Sequence, residues 1–384
     1  MLVVRAQPIR AGRADATRTS GHHGHATCFW TDSVGTCFWT DSVGTSTRLF
    51  GHDGSLPSAS SGGTGRLPRV DQGIEDLRKG FADPPGSARP MMRWWWFGPD
   101  VENAELDREL TAMAAGGLGG VEVAFVYPLS QVTSPFLSDP FLASVSFVAG
   151  RAQELGLRFD LTLGSGWPFG GPHITPDLAA RRLAWTRTSL TDATATVRPE
   201  GPAGGELVGA YLRDPDVPDG QPRPAEIVDG TVTVPAGSAG RELLAAWSCP
   251  TGQQVKRAAV GAEGLVLDHY SAAAASCHIE QVAAPLLASA RPERVGSVFC
   301  DSMEVYGADW TPALPAEFER RRGYPLLPRL GELADASGDA TLRADVGRTL
   351  SELYGRTSLR SSETGRRARA SRSASRAMAS RRPP

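Results

Sequence analysis

The stretch with the most chemical content is 295–330, VGSVFCDSMEVYGADWTPALPAEFERRRGYPLLPRL. Asp301 and Glu304 follow an apolar run, with Ser302 between them and Tyr306 and Trp310 close behind. Paired carboxylates can hold hydroxyls and move a proton at a glycosidic oxygen, and aromatic rings stack on the C–H faces of a sugar. The apolar run Val295–Cys300 reads as a short buried strand, and Pro315–Arg322 as a helix closed by Gly323. A strand that delivers acids at its C-terminal end and returns by a helix is how a β/α barrel builds its site. Glu304 is the candidate catalytic carboxylate, and Asp301 the candidate to orient hydroxyls or hold a cation.

MMRWWWFG, 91–98, is a compact apolar strand on which Trp94 and Trp96 face one side and Trp95 the other. Each ring suits the core or a sugar equally, and Trp95 is the candidate platform. Asn103–Ala115 has helical spacing of Leu106, Leu110 and Met113 and ends at a glycine pair. GGVEVAFVY, 119–127, is a second strand that carries Glu122. An acid inside a buried strand is either paired or functional, so Glu122 reads as a substrate ligand or as half of an internal salt bridge.

Pro140–Leu155 reads as a helix, and 157–164 as a third strand running into the glycine-rich GSGWPFGG. These glycines permit close approach to a ligand, but the GxxxxGK[ST] of a phosphate loop is absent. Trp167 and His173 in this loop are candidate binding residues, His173 with a structural role as its competitor. Residues 186–247 are short alternating segments between Pro, Gly and Asp, the pattern of an antiparallel β insertion. GLVLDHYS, 264–271, reads as a further strand ending in Asp268 and His269, and Ala272–Ala290 as the next helix. Strand–helix repeats of this kind give an α/β fold, here part of a (β/α)8 barrel with five strands in sequence.

Composition narrows the function classes. The 384 residues carry a net charge of −2, but nine Arg against one Glu from Gly355 onward give that tail +8 and leave −10 for residues 1–354. An acidic body argues against nucleic acid as partner. Five cysteines without CxxC spacing read as reduced thiols, the pattern of a cytoplasmic protein. No signal peptide and no membrane-spanning apolar run stand out. Residues 1–70 read as a polar, disordered segment with TCFWTDSVG repeated in tandem at 27–44. His22, His23 and His25 there are close enough to bind a metal, but a plain polar segment accounts for them better.

RWWWFGPDV, GGLGGVEV, GSGWPFGGP, LVLDHYS and above all DSMEVYGADWTPALPAEFERRRGYPLLPRL together resemble glycoside hydrolase family 106, the α-L-rhamnosidase-like enzymes, over roughly residues 88–354. The resemblance implies a (β/α)8 catalytic domain with β-sandwich modules and inverting attack on terminal α-L-rhamnosides. It also implies calcium as an assisting ion. By position Glu304 is then the general acid, with a pKa raised by Tyr306 and Trp310. The second carboxylate is expected on a later barrel strand. Rhamnosides are the expected partner.

After SELYGRT the pattern departs from the family. Arg/Ser/Ala-rich text fills 355–384, as an out-of-frame reading of a GC-rich gene does. The domain plan expected is therefore a polar segment at 1–70, a partial barrel at 71–354 and a basic tail, with impaired hydrolysis. The alternative is a carbohydrate-binding remnant without catalysis.

Overall fold

A computed structural model describes residues 70–191, 195–214, 221–335 and 338–356. The tandem repeat, the N-terminal histidines and nearly all of the basic tail lie outside the described residues. A first helix, α1 (Val70–Ala82), precedes strand β1 (Met91–Phe97). Helix α2 (Asn103–Ala115), strand β2 (Gly120–Val126), helix α3 (Asp139–Glu154) and strand β3 (Arg158–Ser165) follow in strict alternation. Next come the module strands β4 (Arg181–Ser189), β5 (Glu206–Arg213) and β6 (Glu242–Pro250). The chain then returns through helices α4 (Ala272–His278) and α5 (Ala284–Ala290), joined by a π turn, to strand β7 (Val295–Phe299) and helix α6 (Leu314–Arg322).

β1, β2, β3 and β7 form one parallel sheet in that order. Its core follows from the strand period. Trp94 and Trp96 of β1, Val121, Val123 and Phe125 of β2, and Phe159 and Leu161 of β3 point to the helix side. There they meet Leu106 and Leu110 of α2, Phe141, Val145 and Val148 of α3, and Leu286 and Ala290 of α5. Trp96 stands edge-on to Phe125 and Phe141, an arrangement that suits the ring quadrupoles. Trp94 spends its polar atom on that side as well, its indole N–H donating to Glu109 at 2.7 Å. Arg93, Trp95 and Phe97 alternate onto the opposite face, where Trp95 remains 37% exposed.

The β insertion is real and begins a little earlier than the sequence pattern suggests. β4, β6 and β5 pair antiparallel, β6 in the centre, with Arg223–Pro224 on the β5 edge. A second core joins this module to the C-terminal helices: Tyr211, Leu244 and Ala246 pack with Trp310, Leu314, Phe318, Leu326 and Leu330. A helical run at 340–356 adds Leu342, Leu350 and Leu353 to it.

One expectation about elements is corrected. The parallel sheet has four described strands, not five. Of the run 264–268 only Leu265–Val266 is strand, and it pairs antiparallel with Gly170–Gly171. A short apolar run specifies burial but not a partner or a direction. Here it closes the neck of the module. Helix α1 turns Ile74, Leu77 and Phe81 to solvent, Phe81 at 91% exposure. No described helix is long and apolar enough to cross a membrane.

Candidate active site

The site is the face of the parallel sheet opposite the helices. Strand register sets its first layer: Arg93 lies beside Glu122, and Glu122 beside Asp160. Arg93 reaches Glu122 at 3.4 Å and makes a close ion pair with Asp301, which follows β7. Its guanidinium also lies 4.4 Å from the Trp95 ring and 4.8 Å from the Phe299 ring. One planar cation thus binds two carboxylates and two rings, a task the delocalised guanidinium performs and a lysine does not. The Thr162 hydroxyl donates to the other oxygen of Glu122. Burial pushes the Glu122 carboxyl above its ordinary range, with the Thr162 bond and Arg93 opposing.

Asp160 fixes the neighbouring strand rather than facing the mouth. Its Oδ1 accepts from the Arg158 guanidinium at 2.8 Å and from the backbone N–H of Ser297 at 2.7 Å. A Cβ at position 296 would stand 2.7 Å from that oxygen, so glycine lets β7 approach without displacing the Asp160 and Arg158 side chains. The register between β3 and β7 shifts at this point, and β7 then ends so that Asp301 and Glu304 emerge over the layer.

Glu304 has company the sequence pattern did not reveal. Lys256 Nζ lies 3.1 Å from Glu304 Oε2 and 3.0 Å from the Tyr306 hydroxyl. That hydroxyl donates to Glu304 Oε2 at 3.2 Å, and the Ser302 hydroxyl donates to Oε1 at 3.0 Å. The Gln253 side chain holds the backbone on both sides, donating to the Glu304 carbonyl and accepting from the Tyr306 N–H at 2.8 Å. Lys256 is itself fixed to the glycine-rich loop by reciprocal backbone bonds with Trp167, of 3.0 and 2.8 Å. Gly166 makes this contact feasible: a Cβ there would meet the Lys256 carbonyl at 2.1 Å. The Trp167 ring stands 6.2 Å from that of Trp95, so the two rings form one aromatic corner.

These contacts correct the expected electrostatics of Glu304. Its pKa is lowered, chiefly by the Lys256 bond, with Ser302 and Tyr306 adding to it. The apolar enclosure that was to raise it is missing, because Trp310 lies elsewhere. Trp310 is only 2% exposed and packs in the second core against Leu314 and Phe318, so it offers no face to a ligand.

Three more candidates fall outside the site. Asp268 is 2% exposed, and its carboxylate accepts from the Tyr270 N–H at 2.9 Å in a tight turn. Burial holds the His269 imidazole neutral, its pKa lowered to about 3. His173 lies on the helix side, with Nε2 3.0 Å from Nδ1 of His278, beside a cavity of about 190 Å³ that it shares with Phe136 and Val282. Glu122, Trp95, Trp167, Asp301, Glu304 and Tyr306 are brought together, joined by Arg93, Thr162, Gln253 and Lys256. An arginine in the apolar run MMRWWWF was the one visible signal for Arg93.

The model of glycoside hydrolase family 106, described as alpha-L-rhamnosidase, matches residues 82–206 and 227–354. The chain belongs to glycoside hydrolase family 106. A solved rhamnosidase from Novosphingobium sp. PP1Y shares the fold with a TM-score of 0.53 at 16% identity, over 75% of this chain and 46% of that one. A protein of Formosa agariphila named "Putative beta-glucuronidase" is 26% identical over 355 residues, which is 78% of this chain and 30% of that protein. The chain thus spans less than half the length of both.

The resemblance to family 106 also implied calcium, which takes six to eight oxygen ligands. Glu122 and Asp301 each turn one oxygen onto Arg93, and their other oxygens accept from the Thr162 hydroxyl and the Ser302 N–H. Among the described residues no three acidic, histidine or cysteine side chains converge as a metal site does. The donor set of this layer suits an arginine and does not fit a calcium ion.

Proposed function

We propose that this chain is a glycosidase acting on terminal α-L-rhamnosyl residues by two-carboxylate, inverting chemistry. The observation that carries the reading is the Arg93–Glu122–Asp301 layer, with Glu304 and the Trp95–Trp167 corner beside it on one sheet face. Membership of family 106 supports it. In this reading the four parallel strands are consecutive staves of a (β/α)8 barrel, and the polar layer lines its inner face.

Each residue has a task set by its surroundings. Trp95 and Trp167 stack on the sugar's C–H faces. Asp301, steadied by Arg93, accepts hydrogen bonds from its hydroxyls. Glu304, ionised by Lys256, is the base that takes a proton from water. Glu122, which burial makes reluctant to ionise, is the described carboxyl suited to hold a proton. Two carboxyl groups whose surroundings push their protonation apart are the pair that acid–base chemistry needs.

The test is hydrolysis of an aryl α-L-rhamnoside by the purified 384-residue chain. Turnover is expected, with Glu304→Gln lowering kcat by about 10²–10⁴-fold. Equal rates in both proteins would remove Glu304 from the mechanism. An aryl β-D-glucuronide run in parallel checks the activity named for the Formosa agariphila protein. A second reading, sugar binding without turnover, is favoured by the Lys256 hold on Glu304. Calorimetric binding of rhamnose with no product release would select it.

A further inference from the structure

The return from the β module lays two adjacent cations, Lys256 and Arg257, along the C-terminal ends of β2 and β3. Lys256 is engaged by Glu304 and Tyr306. Arg257 is not engaged in that way. Its backbone carbonyl accepts from the Tyr127 N–H at 3.0 Å, directly after β2. Its guanidinium lies 4.9 Å from the Tyr127 ring, which in turn stands edge-on to Phe97, 5.9 Å away. Phe97 shares the site face with Arg93 and Trp95. The charge therefore sits at the mouth, and among the described residues no carboxylate pairs with it.

The backbone at Arg257 is left-handed, as it is at Leu137, Asp229 and Arg291. Between 250 and 264 the chain takes a positive φ four times, at Gly252, Arg257, Gly261 and Gly264. Three of these are glycine, which adopts it without strain. At 257, with φ of 60°, a long branched side chain is held in the left-handed region instead. That costs on the order of 1 kcal/mol. A Tyr127 stack on an exposed surface returns a similar amount at most. The Tyr127 stack thus offsets the strain and fixes the guanidinium at this place.

We propose that Arg257 docks an anionic group on the saccharide unit next to the one cleaved, so that the site prefers acidic saccharides. This rests on the glycosidase reading above. A guanidinium presents parallel donors to two oxygens at once, the geometry of a uronate carboxylate or a sulfate ester. Tyr127 and Phe97 limit its motion and shield one side from water, while the other side remains open to ligand. Neutral saccharides enter the same mouth without this contact.

The experiment is calorimetry on the full chain with three disaccharides: α-L-rhamnosyl-glucose, α-L-rhamnosyl-glucuronate and α-L-rhamnosyl-glucose 6-sulfate. A charge-assisted pair at a half-open site predicts about tenfold tighter binding of at least one acidic ligand. Which of the two is preferred distinguishes carboxylate from sulfate. Arg257→Gln is expected to bring all three within about twofold, and Arg257→Lys to keep part of the difference. Added salt should narrow it too. Equal affinity for all three ligands, or a preference that survives in Arg257→Gln, overturns the inference alone. If none of the three binds, the glycosidase reading falls and takes this inference with it.

Discussion

Lys256 decides how Glu304 behaves. A carboxylate bonded by an ammonium, a serine hydroxyl and a phenol stays ionised to lower pH than an ordinary glutamate. Lys256→Met removes the largest of these contacts. The Glu304 pKa should then rise, as read from a carboxyl-carbon NMR titration. No movement would show that the 3.1 Å contact is not made in solution. Because the folded pKa is the lower one, the pair stabilises the fold above the ordinary glutamate pKa, and this contribution fades as pH falls through the folded value. At the residue scale the sequence exposed Asp301, Glu304 and Tyr306 because they lie within one short motif. Arg93 and Lys256 stayed hidden because their partners lie 208 and 48 residues away. Trp310 misled for the same reason in reverse: nearness in sequence to two acids did not put it on their face.

β1 shows what an element adds. Its alternation was legible, since three consecutive tryptophans on a strand cannot all face one way. Trp96 and Trp95, one residue apart, therefore belong to different problems. Trp96→Ala opens a hole among Phe125 and Phe141 and should cost about 3–5 kcal/mol in urea unfolding. Trp95→Ala should cost less than about 1 kcal/mol, because its ring is partly in water, yet weaken sugar binding. Equal losses of stability would mean that the two faces of β1 have been assigned wrongly. The run 264–268 was less legible. Its composition matched a buried strand, but the register with Gly170 and Gly171 arises only once the loop after β3 is in place.

At the scale of the whole molecule, two buried histidines link folding to acidity. Burial lowers the pKa of His278 to about 4 and of His269 to about 3. His278 bridges the sheet and the loop, with its Nε2–H toward the Leu163 carbonyl at 2.8 Å and its ring stacked on Phe169. An unfolded histidine titrates near 6.5. The folded state therefore binds fewer protons, and its stability should be full above pH 6.5 and decline as pH falls toward about 4. His278→Gln keeps a donor for Leu163 but does not titrate, so its urea midpoint should fall less over that range. A parallel decline in both proteins would place the acid sensitivity elsewhere. The strand–helix alternation and the β insertion were visible in sequence, since both are written in local period. Which strands pair, and that the module's core is shared with Trp310 and the C-terminal helices, depended on contacts that no local pattern records.

The neck at Gly170–Gly171 and Leu265–Val266 bears on the order of events during folding. Strands β3 and β7 are neighbours in the sheet, yet the whole module lies between them in the chain. Closing that gap directly carries the entropy of a long loop, and each halving of loop length recovers about 0.6 kcal/mol. Once the neck has formed, the span left for β3 to find β7 is the short stretch through α4 and α5. The module can then collapse on its own timescale, and late pairing of β7 becomes the step that brings Asp301 and Glu304 to the sheet.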